Sequence, residues 1–206
     1  MKLIITIDTE EEGRLWDGIY IRNSKITTHL EKVNMLQSLF NTYGVKPTYL
    51  INIPVLENPK AIKLLKQTEK NKQCELGTHI HSWNTPPIKE KICQENTYLC
   101  NLDKKLVEQK LIFLTNKFRK VIGHKPHTHK SGRYGLDTWG FTVLEKLGYK
   151  IETSITPHVT WENDGGPDFR DYPSKPYYPS LKNIKYEGEQ RKILEIPATI
   201  RFTRKN

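Results

Sequence analysis

The sequence predicts an α/β fold built on parallel strands, and three observations carry that reading. From Leu3 to Ile155, strand-like and helix-like segments alternate. Three times a helical pattern ends in glycine and a strand pattern follows, at Gly44, Gly123 and Gly148. The joints between them are short, which implies parallel strands linked by right-handed crossovers. Periodicity alone leaves barrel and open sheet equally open.

Leu3 to Ile7 is an apolar, β-branched run of the kind a strand covered on both faces requires. An acidic loop from Asp8 to Gly13 ends it. Thr28-x-x-Glu31 has the form of a capping box, and Leu30, Val33, Leu36, Leu39 and Phe40 follow at helical spacing. After Gly44, Pro47 to Ile51 is the second strand. Asn58-Pro59 is an N-cap and first-turn pair for a helix to about Lys70. Cys74 to His81 is the third strand, closed by a loop that ends in Pro86-Pro87. Leu102 to Ile122 predicts the longest amphipathic helix, and His127 to Lys130 a short strand. Asp137 caps a helix ending at Leu147-Gly148, and Tyr149 to Ile155 is another strand. Residues 156–192 break the alternation, being rich in Pro, Gly, Asp and Tyr. A connection of that length is usually functional or disordered. Leu194 to Ile200 reads as a last strand.

The chain has 206 residues, 36% of them hydrophobic and 27% charged, which suits a soluble globular protein with a core of its own. No apolar run approaches the length of a membrane span, and the N-terminus meets acid too soon for a secretory signal. Three cysteines without paired spacing fit a reducing compartment, so the expected location is cytoplasmic. A net charge of +10 favours anionic partners. The lysines are scattered, with no basic block or aromatic-basic motif, which argues against nucleic acid. A sugar carrying phosphate, or a lipid-phosphate carrier, would serve the same charge. Oligomeric state is not legible.

Two polar clusters carry the chemistry. His79 and His81 are two apart on a strand, so both imidazoles point to one side, within reach of one ion. Asp8 and Glu10 have the same spacing where the first strand gives way to its loop. Ligands of α/β folds bind at the carboxyl ends of the strands, so the two clusters are expected to meet there. Two histidines and one carboxylate complete the three-residue set of a catalytic zinc, leaving the second carboxylate as a candidate general base. Either carboxylate fits either role.

Thr6-Ile-Asp-Thr-Glu10, Gly77-Thr-His-Ile-His-Ser-Trp-Asn-Thr-Pro-Pro87, Ser131-Gly-Arg-Tyr-Gly-Leu-Asp137 and Leu194-Glu-Ile-Pro197 together resemble the motifs of the polysaccharide deacetylases. That is the NodB-homology or carbohydrate esterase 4 superfamily, in a branch whose histidine motif reads H-x-H-x-W. The resemblance implies a distorted or incomplete (β/α) barrel of about six to seven parallel strands. It implies a domain spanning 1–206 that lacks its C-terminal strand and last motif. It also implies removal of acetyl from an N-acetylated sugar with a divalent metal, most often Zn2+. By position, Asp8 resembles the general base, Glu10 the carboxylate ligand, and His79 and His81 the imidazole ligands. Lys130 and Arg133 resemble the basic pair of the third motif, one of which holds the catalytic aspartate, and Tyr134 could add a donor to the oxyanion. Trp83 stands where the usual second histidine would be. Trp83, Tyr134, Trp161 and Asp168 are the candidate substrate contacts, the last two from the aromatic loop.

The sequence departs from the family pattern at several points. Its second acid is Glu10, one position later than the usual Asp. Lys130 replaces an arginine and loses the bidentate fork. The histidine that acts as general acid in the last motif is absent after Ile196, and the loop residue His158 is the candidate substitute. His127-Thr-His129 is a second H-x-H, with no carboxylate cluster to face. The leading expectation is a carbohydrate N-deacetylase of surface-glycan assembly. Its alternatives are an amidase acting on a non-sugar C–N bond and a non-catalytic glycan-binding or regulatory domain on the same fold.

Overall fold

Six strands lie side by side in the order in which they occur in the chain, every neighbouring pair parallel. They are β1 (Thr6–Thr9), β2 (Thr48–Ile51), β3 (Glu75–Ile80), β4 (Thr128–Ser131), β5 (Ile151–Glu152) and β6 (Leu194–Glu195). This computed structural model describes residues 3–13 and 18–200. The sheet does not close, so β1 and β6 are its edges among the described residues. This is the open, incomplete form of the expected barrel, with six strands.

The helices are α1 (Val33–Thr42), α2 (Ile53–Leu56), α3 (Pro59–Lys70), α4 (Lys104–Ile122) and α5 (Thr138–Leu147). Their ends follow from local chemistry. The side chain of Asn58 accepts from the amides of Lys60 and Ala61 with Pro59 in the first turn, and α3 runs to Lys70 as the sequence predicts. Asp103 and Asp137 cap α4 and α5 in the same way. Gly123 and Gly148 close them in the left-handed conformation that glycine adopts without strain. Along α4, Leu106, Leu111, Leu114, Phe118 and Ile122 are buried on one face and join Leu76 and Ile80 of β3 in the core. Burying each such side chain contributes about 1.5–3 kcal/mol.

Several expectations need correction. Leu3 and Ile4 are exposed, and β1 starts only at Thr6, because an edge strand lacks the second cover that an interior strand has. Thr28 forms no capping box. Its hydroxyl donates instead to Glu12 at 2.7 Å, ahead of a 3-10 turn over Thr28–Lys32. β5 and β6 contain two paired residues each, far shorter than their apolar patterns. Residues 156–192 are ordered around Phe169, Tyr177 and Ile184, all buried, so this long connection carries its own share of the core.

Candidate active site

The residues with chemistry gather where the strands end. Asp8 is in β1 and Glu10 just beyond it; His79 is in β3 and His81 just beyond it; Lys130 is in β4. One oxygen of Glu10, Oε2, lies 2.9 Å from Nε2 of His79 and 2.9 Å from Nε2 of His81. The two Nε2 atoms are 3.1 Å apart. The far sides of both rings are held. His79 Nδ1 lies 3.1 Å from the carbonyl oxygen of Lys130, and His81 Nδ1 lies 3.0 Å from Glu11 Oε1. Both partners are acceptors, so each Nδ1 donates outward and each ring turns its Nε2 toward Glu10.

Three atoms this close, one carboxylate oxygen and two imidazole nitrogens, need a shared positive centre, a proton or a cation, to join them. Burial disfavours a charged His81, yet the carboxylates of Glu11 and Glu10 on either side outweigh it and raise its pKa to about 10. Burial likewise opposes ionisation of Glu10, but its hydrogen bonds to His79 and His81 hold it far below the usual carboxylate range. The site therefore stabilises positive charge at its centre. The donor set of Glu10, His79 and His81 fits a divalent cation: bonds of about 2.0–2.2 Å in a tetrahedron put neighbouring donors about 3.3–3.6 Å apart, a few tenths of an ångström wider than the 2.9–3.1 Å found.

Glu11 is the residue that sequence reasoning missed. It is 4% exposed, and besides His81 it accepts from Asn84 Nδ2 at 2.7 Å and from Asn52 Nδ2. Burial would raise its pKa; the His81 charge and these bonds lower it instead. It therefore holds His81 from behind, the arrangement that fixes tautomer and ring position where an imidazole binds a metal. The signal available was its place beside Glu10.

Lys130 Nζ donates to Asp8 Oδ2 at 2.7 Å, so Lys130, and not Arg133, holds the aspartate. Arg133 reaches Tyr20, Thr97 and Asp164 instead. Between them, Gly132 has no room for a side chain, since a Cβ there would meet the His81 ring and the Ile80 carbonyl at 2.5 Å each.

A cavity of about 420 Å³ opens over these groups. Asp8, Glu10, His79, His81, Trp83, Lys130, Arg133, Tyr134 and Trp161 all line it. Tyr134 and Trp161 stack 5.2 Å apart and 17° from parallel, forming one aromatic wall. Trp83 is 1% exposed and stacks on His81 at 4.1 Å, so it backs the ligand more than it faces a substrate. Asp168 does not line the cavity; its carboxylate is taken by Arg170 at 2.6–3.0 Å. Tyr20, Tyr98 and Asp164, not anticipated, do line it. His158 is exposed and outside the lining. His129 is fully buried and bonded to Thr78, burial and the neighbouring His79 lower its pKa to about 3, and it is not among the atoms that converge on Glu10. No helix among the described residues is long and apolar enough to cross a membrane.

No protein-family profile and no curated protein sequence matches this chain. Solved structures do. A glycoside hydrolase/deacetylase from Parabacteroides distasonis, provisionally so assigned, superposes with a TM-score of 0.65 at 18% identity, over 94% of this chain and 44% of that one. A polysaccharide deacetylase from Mycobacterium smegmatis, also provisionally assigned, gives 0.54 at 14% identity, over 81% and 45%. The 4-alpha-glucanotransferase of Thermococcus litoralis gives 0.55 at 15% identity, over 94% and 27%. The chain spans less than half the length of each. It has the fold of the NodB-like polysaccharide deacetylases, and a glucanotransferase uses a similar fold, so the reaction has to be argued from the site.

Proposed function

We propose that this chain removes the acetyl group from an N-acetylated sugar by hydrolysis dependent on a divalent metal, with zinc the best match to the donors. The observation that carries the reading is the convergence of Glu10, His79 and His81 beside the Asp8–Lys130 pair at one end of an aromatic-walled cavity. A cation held by the three ligands would supply Lewis acidity toward the amide carbonyl and toward the attacking water. Asp8 accepts the proton of that water, and Lys130 fixes the carboxylate oxygen that does not take it. Tyr134, with Lys130 Nζ 4.9 Å from the centre of its ring, lies on the same side and can donate to the developing oxyanion. As the C–N bond breaks, the proton taken up by Asp8 passes to the departing nitrogen, which leaves as a free amine, and the acetyl group leaves as acetic acid, ionised to acetate in solution. The stacked Tyr134 and Trp161 suit the apolar face of a pyranose, which favours a sugar over a non-sugar amide.

The net charge of +10 supports a sugar linked to nucleotide or lipid phosphate, and surface-glycan assembly in the cytoplasm is the setting we propose for it. The test is acetate release from N-acetylglucosamine oligomers and UDP-N-acetylglucosamine by zinc-loaded and chelator-treated protein. Release that needs metal and disappears in Asp8→Asn supports the reading. Sugar binding without release, unchanged in Asp8→Asn, would make the chain a glycan-binding module.

A further inference from the structure

Arg133 is the junction of the cavity roof. It and Tyr134 have φ of 51° and 60°, a conformation that side-chain-bearing residues keep only where their surroundings enforce it. Arg133 Nη1 donates to Tyr20 Oη at 2.5 Å and Thr97 Oγ1 at 2.9 Å, and Nη2 to Asp164 Oδ2 at 3.1 Å. Its guanidinium carbon lies 4.3 Å from the Tyr98 ring centre and 5.6 Å from that of Tyr20. These partners belong to the connections that follow β1, β3 and β5.

The loops also hold one another. Asp164 accepts from Gln94 at 3.1 Å, and Asn101 donates to the carbonyls of Glu95 and Gly165 at 2.9 and 2.7 Å. Gly166 lies so close to Tyr98 that a Cβ there would fall 2.3 Å from its ring. None of the bonds that Arg133 makes reaches Asp8, Glu10, His79 or His81. Its charge already faces Asp164 and two aromatic rings, so it is not free to receive an anionic group.

We propose that Arg133 is a positioning residue whose ties to Tyr20, Thr97 and Asp164 draw three loops over the cavity and confine it to a terminal or free sugar unit, excluding the interior units of a glycan. This rests on the deacetylase reading above. An interior unit needs a groove open at both ends for its neighbours, whereas Tyr20, Tyr98, Arg133 and Asp164, tied to one another, all line this cavity of about 420 Å³.

The experiment compares zinc-loaded wild type, Arg133→Met and Asp164→Asn on di-N-acetylchitobiose and hexa-N-acetylchitohexaose, with mass spectrometry locating each lost acetyl. Wild type should deacetylate only a terminal unit of the hexamer. In both variants KM for the disaccharide should rise about tenfold while kcat falls less than about threefold, and interior acetyls should begin to be lost. A fall in kcat at constant KM, or interior deacetylation by wild type, overturns the proposal. Hydrogen exchange supplies a readout independent of turnover: amides of residues 94–98 and 161–166 should exchange about tenfold faster in Arg133→Met. Unchanged exchange overturns the clasp. Faster exchange in a protein that releases no acetate from any sugar upholds the clasp and overturns the deacetylase reading with its terminal-unit selectivity.

Discussion

Glu11 touches no candidate substrate position, yet it orients His81 while Asn52 and Asn84 orient Glu11. Glu11→Gln keeps the shape and removes the charge behind the imidazole, so zinc affinity should fall about 10–100-fold in a competitive chelator titration. Asp8→Asn should leave that affinity unchanged and lower kcat about 10²–10⁴-fold, the contribution expected of a general base. If Asp8→Asn released zinc instead, Asp8 would be a ligand and the assignment of roles would reverse. The convergence of His79 and His81 was legible because strand geometry puts alternate residues on one side, and their spacing is enough to show it. Glu11 was not, because it follows the end of β1, where alternation no longer says which way a side chain points. The partners of Arg133 were hidden for a related reason: Tyr20, Thr97 and Asp164 lie in three connections with no periodicity to relate them.

Among the elements, those with chemical punctuation were read most closely. Asn58-Pro59 starts α3, and Gly123 and Gly148 end α4 and α5, where the sequence places them. The extents of β1, β5 and β6 were overread, because apolar composition marks burial as well as pairing, and a residue can be buried beside a sheet without joining it. Gly132, at the end of β4, ties an element to the site. Gly132→Ala forces a methyl against the His81 ring and the Ile80 carbonyl, at a cost of about 1–3 kcal/mol. Both the melting temperature and the zinc affinity of that variant should drop; a normal zinc titration would show that β4 can move without disturbing the ligand. On α4, Lys110 is fully buried and donates to the carbonyls of Ser82, Thr85 and Pro87 at 2.6–2.9 Å, with Glu90 at 3.1 Å. It thereby pins the loop that carries Trp83 and Asn84. Lys110→Met leaves Glu90 and three carbonyls without this donor, and urea unfolding should show a loss of about 3–5 kcal/mol.

For the whole molecule, the alternation of elements and the glycine stops led to a parallel α/β sheet, and the described residues contain six strands in chain order. Closure was beyond periodicity, because the curl of a sheet depends on how its two edges end. At one of those edges Glu152 and Glu195 face each other across β5 and β6, both fully buried. Burial raises both carboxyls above their ordinary value of 4.5, and the charge of Glu152 raises Glu195 further. A carboxyl raised in the native state keeps a proton that the unfolded chain has lost. Its contribution is therefore complete below pH about 4.5 and declines as pH climbs through the native value. Glu195→Gln should flatten the fall in melting temperature as pH rises above about 4.5, each retained proton being worth up to about 1.4 kcal/mol per pH unit. An unaltered slope would place the pH sensitivity elsewhere. The division of labour between stretches of this chain also bears on how such proteins diversify. The proposed ligands and base come from β1 and β3 and their immediate ends, whereas Trp161 and Asp164 come from the long connection between β5 and β6. Exchanging that connection among relatives could retune substrate choice and leave the hydrolytic apparatus intact, a modular route to new specificities within one scaffold.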